Sequence, residues 1–259
     1  MRIIKKVLKR FVYFFNGILL GMSKREVKKR RNSHAGEQCF IVGNGPSLCM
    51  EDLELIRGTF SFGTNRIYNM FEKTDWRPSC YCAQDYKLIN KSAKEISGIC
   101  VKEKWIGILR DSPYKRIKNA NYIELKNEAF YPEKPKFAED ISDGVFEGFT
   151  VTYMCLQIAM YMGFSEIYLL GIDHNYSIDA MPDGTVIKNE GVQDHFSKAD
   201  QIDNIPQTYK STLAYEAARQ YAEKHGVKIY NASRGGRLEV FQRINIEEIA
   251  YKKNTRRQK

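Results

Sequence analysis

Short apolar runs recur along this chain and alternate with segments whose apolar residues fall at helical spacing. The runs at 38–43, 59–63, 79–83, 105–109, 122–125, 166–171 and 227–230 are too short for helices. They read as strands buried on both faces, because such strands lose the polar alternation of a half-exposed sheet. Between them, 51–57, 66–71, 86–96, 150–162, 207–224 and 246–252 carry helical patterns. The alternation predicts an α/β, Rossmann-like fold: a mostly parallel sheet with helices on both faces. Ligands of such sheets gather at the carboxyl ends of the strands. The polar segments 43–47, 64–65 and 173 onward are therefore expected to meet.

Two stretches break the alternation. Residues 126–147 are rich in Pro, Asp and Glu. Residues 173–206 show little periodicity, hold most of the lid-like polar groups, and follow an apolar strand. A long irregular insertion at the ligand end of a compact domain reads as a lid. The expected organisation is a basic amphipathic segment at 1–36, a domain at 37–245 with its lid at 173–206, and a C-terminal helix and basic tail at 246–259.

Charge changes the picture only at the ends. The net charge is +10, but residues 1–31 hold 11 Lys and Arg against a single acid, Glu26, and so account for all of it. The rest balances, and five bases crowd the tail after Tyr251. A nucleic-acid groove draws its basicity from the folded body, so nucleic acid is not an expected partner. The apolar stretch 11–22, FVYFFNGILLGM, is too short to cross a bilayer and is followed by SKREVKKRR rather than a cleavage site. It reads as an interfacial anchor on an anionic membrane surface, or as a helix packed on the domain. The first reading puts the protein in the cytoplasm, peripheral on the inner face of a bacterial inner membrane. No CxxC occurs among the six cysteines, which read as reduced and buried.

The candidate chemistry sits at the strand ends. Gly43-Asn44-Gly45-Pro46-Ser47 follows the first strand, but Leu48 stands where a dinucleotide fingerprint has its third glycine. A mononucleotide phosphate loop and an ordinary strand–helix turn both fit. Asn65 is a donor contact or a helix cap. Asp173 is a ribose contact, a metal ligand or a turn residue. His195, beside Asp194 in the lid, is the candidate general base, with His174 as its competitor. His225 suits a helix end and His34 a linker. Residues 231–237, with Arg234 and Arg237, suit a carboxylate or phosphate, or a surface hairpin. No D-x-D occurs, and no metal site is expected.

In order along the chain, IVGNGPSL (41–48), GTN (63–65), TVTYMCLQIAMYMGFSEIYLLGID (150–173) and the lid histidine His195 resemble the bacterial family-42 sialyltransferases and related motility-associated glycosyltransferases. That resemblance implies an inverting transfer of a nonulosonic sugar from a CMP-activated donor, with no further cofactor, to a glycan or lipid-linked acceptor. It implies that Gly43, Asn44, Gly45, Pro46 and Ser47 hold the nucleotide, with Asn65, Thr150 and Asp173 also on the donor. His195 would be the base, and Tyr176, shifted one place, would face the leaving phosphate. Glu147 stands where that family has an arginine. The same strand-turn pattern more loosely resembles the 6-hydroxymethylpterin diphosphokinase-like superfamily. That likeness implies diphosphate transfer from ATP with Mg²⁺ on Asp173 and Asp183. A nucleotide-binding scaffold without catalysis is the third reading, and homo-oligomerisation is left open.

Overall fold

The computed structural model describes residues 2–197 and 204–249. All seven expected runs are strands: β1 (Gln38–Val42), β2 (Ser61–Thr64), β3 (Cys80–Ala83), β4 (Glu103–Ile108), β5 (Asn121–Lys126), β7 (Glu166–Leu170) and β10 (Lys228–Asn231). Two short strands extend the sheet, β6 (Val145–Phe146) and β11 (Gln242–Arg243). The order is β11-β10-β7-β1-β2-β3-β4-β5-β6, and every pairing in it is parallel. A separate antiparallel hairpin, β8 (Ile178–Ala180) with β9 (Val186–Lys188), stands inside the lid. From β1 the chain winds outward through β2 to β6, then returns to pair β7 with the other side of β1. The order therefore reverses between β1 and β7, which is where an open α/β sheet forms its ligand crevice.

Helices cover both faces. α2 (Met50–Leu55), α3 (Tyr86–Lys91) and α4 (Ala93–Gly98) share one apolar layer. α5 (Val151–Tyr161) and α6 (Thr208–Lys224) share the other. α5 is apolar nearly all round and almost wholly buried, as expected for a helix enclosed by sheet and helix. Its one buried amide, Gln157, accepts from the N–H groups of Ala138 (3.2 Å) and Phe146 (3.0 Å) and donates to Phe146 O (2.9 Å), pinning the irregular stretch 126–147 to the core. The helical pattern at 86–96 is split at Ser92, and that at 66–71 is only a 3₁₀ turn over Ile67–Met70. Residues 246–249 are helical; the remainder of that expected helix and the basic tail lie outside the described residues.

The N-terminal segment is one 28-residue helix, α1 (Arg2–Lys29), running beside β5. Its inner face is fixed by polar contacts. Asn16 Nδ2 donates to Ser112 O (2.8 Å) and Arg110 O (3.1 Å), and Tyr122 N donates to Ser23 Oγ (2.8 Å). Val27 enters the core, while Lys9–Asp111 and Lys24–Asp143 pair along the edges. No helix among the described residues is long and apolar enough to cross a membrane.

Candidate functional site

Three loops meet at the crevice between β1 and β7. Gly43 N donates to Leu170 O and Gly45 N to Gly171 O, each at 2.8 Å, so the glycine loop runs on as an extension of the β1–β7 ladder. Ser47 then donates to the Asp173 carboxylate through both its N–H (2.9 Å) and its hydroxyl. A side chain at position 45 would put its Cβ 2.5 Å from the Asp173 carboxyl carbon. From the third side, Gly236 lies so close that its Cβ would fall 2.2 Å from Asp173 O, and Arg237 N donates to that oxygen at 2.7 Å. The amides at 43, 45 and 47 are thus already satisfied within the protein. These three amides are not free to meet an anion; the loop's residues alone allowed either a phosphate loop or an ordinary strand–helix turn.

What the crevice leaves unsatisfied is a row of buried acceptors. Asn44, 9% exposed, donates through Nδ2 to Thr64 O (2.9 Å), which fixes its orientation and leaves Oδ1 buried without a partner. Asn65 is held left-handed at φ 50° by Asn65 N donating to Cys82 O (3.0 Å) and Tyr81 OH donating to Asn65 O (2.7 Å), and its Oδ1 also lacks a partner. Gln84, after β3, donates to Glu147 O at 3.0 Å and leaves Oε1 buried and unpaired. Glu147 Oε2 completes the row. Burial, and then the nearby Asp85, push the Glu147 carboxyl above its ordinary pKa against the pull of Lys210. Orphaned buried acceptors are rare in folded proteins, and four along one rim call for a ligand rich in N–H and O–H groups.

The lid lies over this row. Phe196 N donates to Asn44 O at 2.9 Å, which brings half-buried His195 within one residue of the glycine loop. Asn204 Nδ2 donates to Asp85 Oδ2 at 2.5 Å, tying the lid's far end beside Gln84. Lid residues 198–203, including Asp200, lie outside the described residues. Asp194 is held by the Ser177 N–H and hydroxyl, both at 2.7 Å. Burial first, and then the charge of nearby Tyr215, Asp173, Asp179 and Asp194, raise the Tyr176 pKa well above the usual tyrosine value. The hydroxyl stays protonated and can only donate to an anion.

Other sequence candidates are engaged in the scaffold. His174, at φ 51°, hydrogen-bonds Thr212 Oγ1 through Nε2 at 2.8 Å. That hydroxyl donates to Thr208 O (2.8 Å), so it accepts from His174 Nε2–H. Burial lowers the His174 pKa to about 4, so the ring is neutral near pH 7. Thr150 caps α5 and sits 3.3 Å from Tyr215 OH. Asp179 accepts from Thr208 N at the start of α6 (3.0 Å), and Asp183 accepts from Thr185 N in its own hairpin turn (2.9 Å). Arg234 pairs with the fully buried Asp52 (2.7 Å) and with Glu247 (2.6 Å). Among the described residues no three His, Cys, Asp or Glu side chains converge on a metal position.

Beyond Glu147 the rim opens into a cleft of about 950 Å³ at the tips of β4 and β5. Arg110, Phe130, Tyr131, Phe149, Tyr209 and Lys210 line it, with Tyr13 of α1 at its side. Lys210 Nζ stands 4.3 Å from the Phe149 ring centre and Arg110 Cζ 4.4 Å from that of Tyr13. Tyr131 and Tyr209 meet edge to face at 4.9 Å. Phe149 is held at φ 56°, a costly conformation for a bulky residue and one that clusters at functional sites. None of these cleft residues stood out by motif, because their signal is convergence in space.

An open parallel sheet with a lidded crevice at its switch point defines a Rossmann-like α/β protein. Residues 19–179 match the family model described as 6-hydroxymethylpterin diphosphokinase MptE-like, and the chain belongs to that family. No curated protein matches it. The family match agrees with the looser of the two sequence resemblances; the sialyltransferase likeness rests on its motifs.

Proposed function

We propose that this chain transfers a sugar from a nucleotide-activated donor, of the CMP-nonulosonic acid type, to a hydroxyl of a bacterial surface glycan or its lipid-linked precursor. The observation that carries this reading is the row of orphaned acceptors on Asn44, Asn65, Gln84 and Glu147 beneath the lid. Sugar and ribose hydroxyls and a base amino group supply the donors these atoms lack. In this reading Gly43 to Ser47, with Asn65, Thr150 and Asp173, shape the donor side, and the aromatic cleft seats the acceptor, since sugar rings stack on aromatic faces. The acceptor oxygen bonds to the anomeric carbon as that carbon's bond to the donor phosphate breaks. His195 takes the acceptor proton, CMP departs with the electron pair, and the Tyr176 hydroxyl donates to the phosphate oxygen.

The family match favours a second reading, diphosphate transfer from ATP. That chemistry uses Mg²⁺, and the acids available fit it poorly, because Ser47 holds Asp173 and Asp183 lies in its own turn. Thermal shift separates the two. CMP at 100 times its Kd, without Mg²⁺, should stabilise the fold by about 2.7 kcal/mol. Stabilisation by ATP and Mg²⁺ alone, with none by CMP, would overturn the sugar-transfer reading in favour of the second.

A further inference from the structure

We infer that α1 lies in the plane of an anionic lipid bilayer, with the outward stripe Val7, Leu8, Phe11, Phe14, Phe15, Ile18 and Met22 inserted among the lipids. All seven are exposed, from 44% for Ile18 to 67% for Met22. At about 100° per residue they fall within an arc of about 120° and extend for about 22 Å. The opposite arc holds Asn16, Ser23 and Val27, the residues that dock the helix on the domain. The stripe is therefore the face left over once the helix is fully seated, not a poorly packed end.

Charge selects the occupant. Arg10 and Lys28 are exposed along one flank of the stripe, and exposed Arg25 continues its line beyond Met22. The only acid in residues 1–31, Glu26, is paired with Lys29 at 2.7 Å. A second copy laid on this face would oppose two strongly basic helices, each with a single acid that its own Lys29 already holds. An anionic bilayer answers the cations and covers the apolar arc together, the two signals that stable peripheral binding needs. Tyr13 points the other way, onto Arg110 beside the cleft, so the cleft opens next to the seated helix.

Flotation of the full chain with phosphatidylcholine vesicles, with and without 30% phosphatidylglycerol, tests this directly and needs neither donor nor acceptor. Binding should require the anionic lipid, weaken with salt, and fall at least about tenfold in a Phe11→Ser/Phe15→Ser variant whose melting temperature is unchanged. No flotation, or flotation equal with and without the anionic lipid, overturns the inference. So does a dimer in solution that the same variant disperses while vesicle binding persists, which would give the stripe to a second copy.

Discussion

The β1–β7 crevice and helix α1 depart from ordinary folding economy in opposite directions. The crevice buries polar atoms without partners; α1 exposes apolar side chains without cover. Each orphaned acceptor costs about 1–3 kcal/mol. Each large apolar side chain left in water forgoes about 1.5–3 kcal/mol of burial. Neither is an isolated lapse, since four of the orphaned acceptors share one rim and seven exposed apolar residues share one arc of α1. The contrast matches what each region is proposed to take: a small hydroxyl-rich ligand in one, and an extended apolar and anionic surface in the other. It also implies that the two can be disabled separately.

The sharpest break between them is His195→Ala. General-base assistance contributes about 10²–10⁴-fold, so kcat should fall by that order while nucleotide affinity is retained. The Phe11→Ser/Phe15→Ser variant should leave kcat on a water-soluble acceptor unchanged. Steady-state kinetics on both variants check this. An unaltered kcat in His195→Ala would remove the histidine from the reaction, and a loss in the α1 variant would join the two regions.

Acid separates them next. His174, in the crevice wall, has its pKa lowered by burial to about 4. Below the unfolded value of about 6.5 the unfolded chain binds a proton that the folded chain refuses until about pH 4. The contribution is complete above pH 6.5 and is lost as the pH falls to 4, a change of about 3 kcal/mol at most. The buried polar groups of α1 are Asn16 and Ser23, neither of which titrates in this range. His174→Asn, which tolerates the left-handed backbone, should flatten the stability profile across that window. A denaturation series from pH 7 to 4 on both proteins measures it, and parallel profiles would show that His174 is not the titrating group.

Much of the crevice was legible because parallel strands buried on both faces read as unbroken apolar runs. The polar residues that end those runs, Asn44, Asn65 and Asp173, stand at the carboxyl rim. The partners of those residues were not legible. That Asp173 closes onto Ser47, and that Gln84 and Glu147 join one row with Asn44, follows from the strand order, which places residues far apart in sequence side by side. β6 and β11, two residues each, are too short to carry a pattern. In α1 the apolar block at 11–22 announced a helix touching something apolar. Only Asn16 and Ser23, bonded to Ser112 and Tyr122, show which face is already occupied.

The smallest effects offer the cleanest contrast, because one substitution should change sign between the two regions. Gly45→Ala places a methyl group 2.5 Å from the Asp173 carboxyl carbon, and that carboxylate is held by two bonds from Ser47. The corner must open, at about 1–3 kcal/mol, the usual cost of overpacking a close contact. Gly21→Ala, in the interior of α1, meets nothing within 4 Å. There the gain in helix propensity should stabilise the fold by about 0.5–1 kcal/mol. Chemical denaturation of the two variants should therefore bracket the parent protein. If Gly45→Ala is neutral, the contact between the glycine loop and Asp173 is loose enough to yield, and the crevice is not the rigid corner its hydrogen bonds describe. If Gly21→Ala brings no gain, the middle of α1 is not held as helix when free of lipid, and the stripe would have to form on the membrane rather than be presented to it.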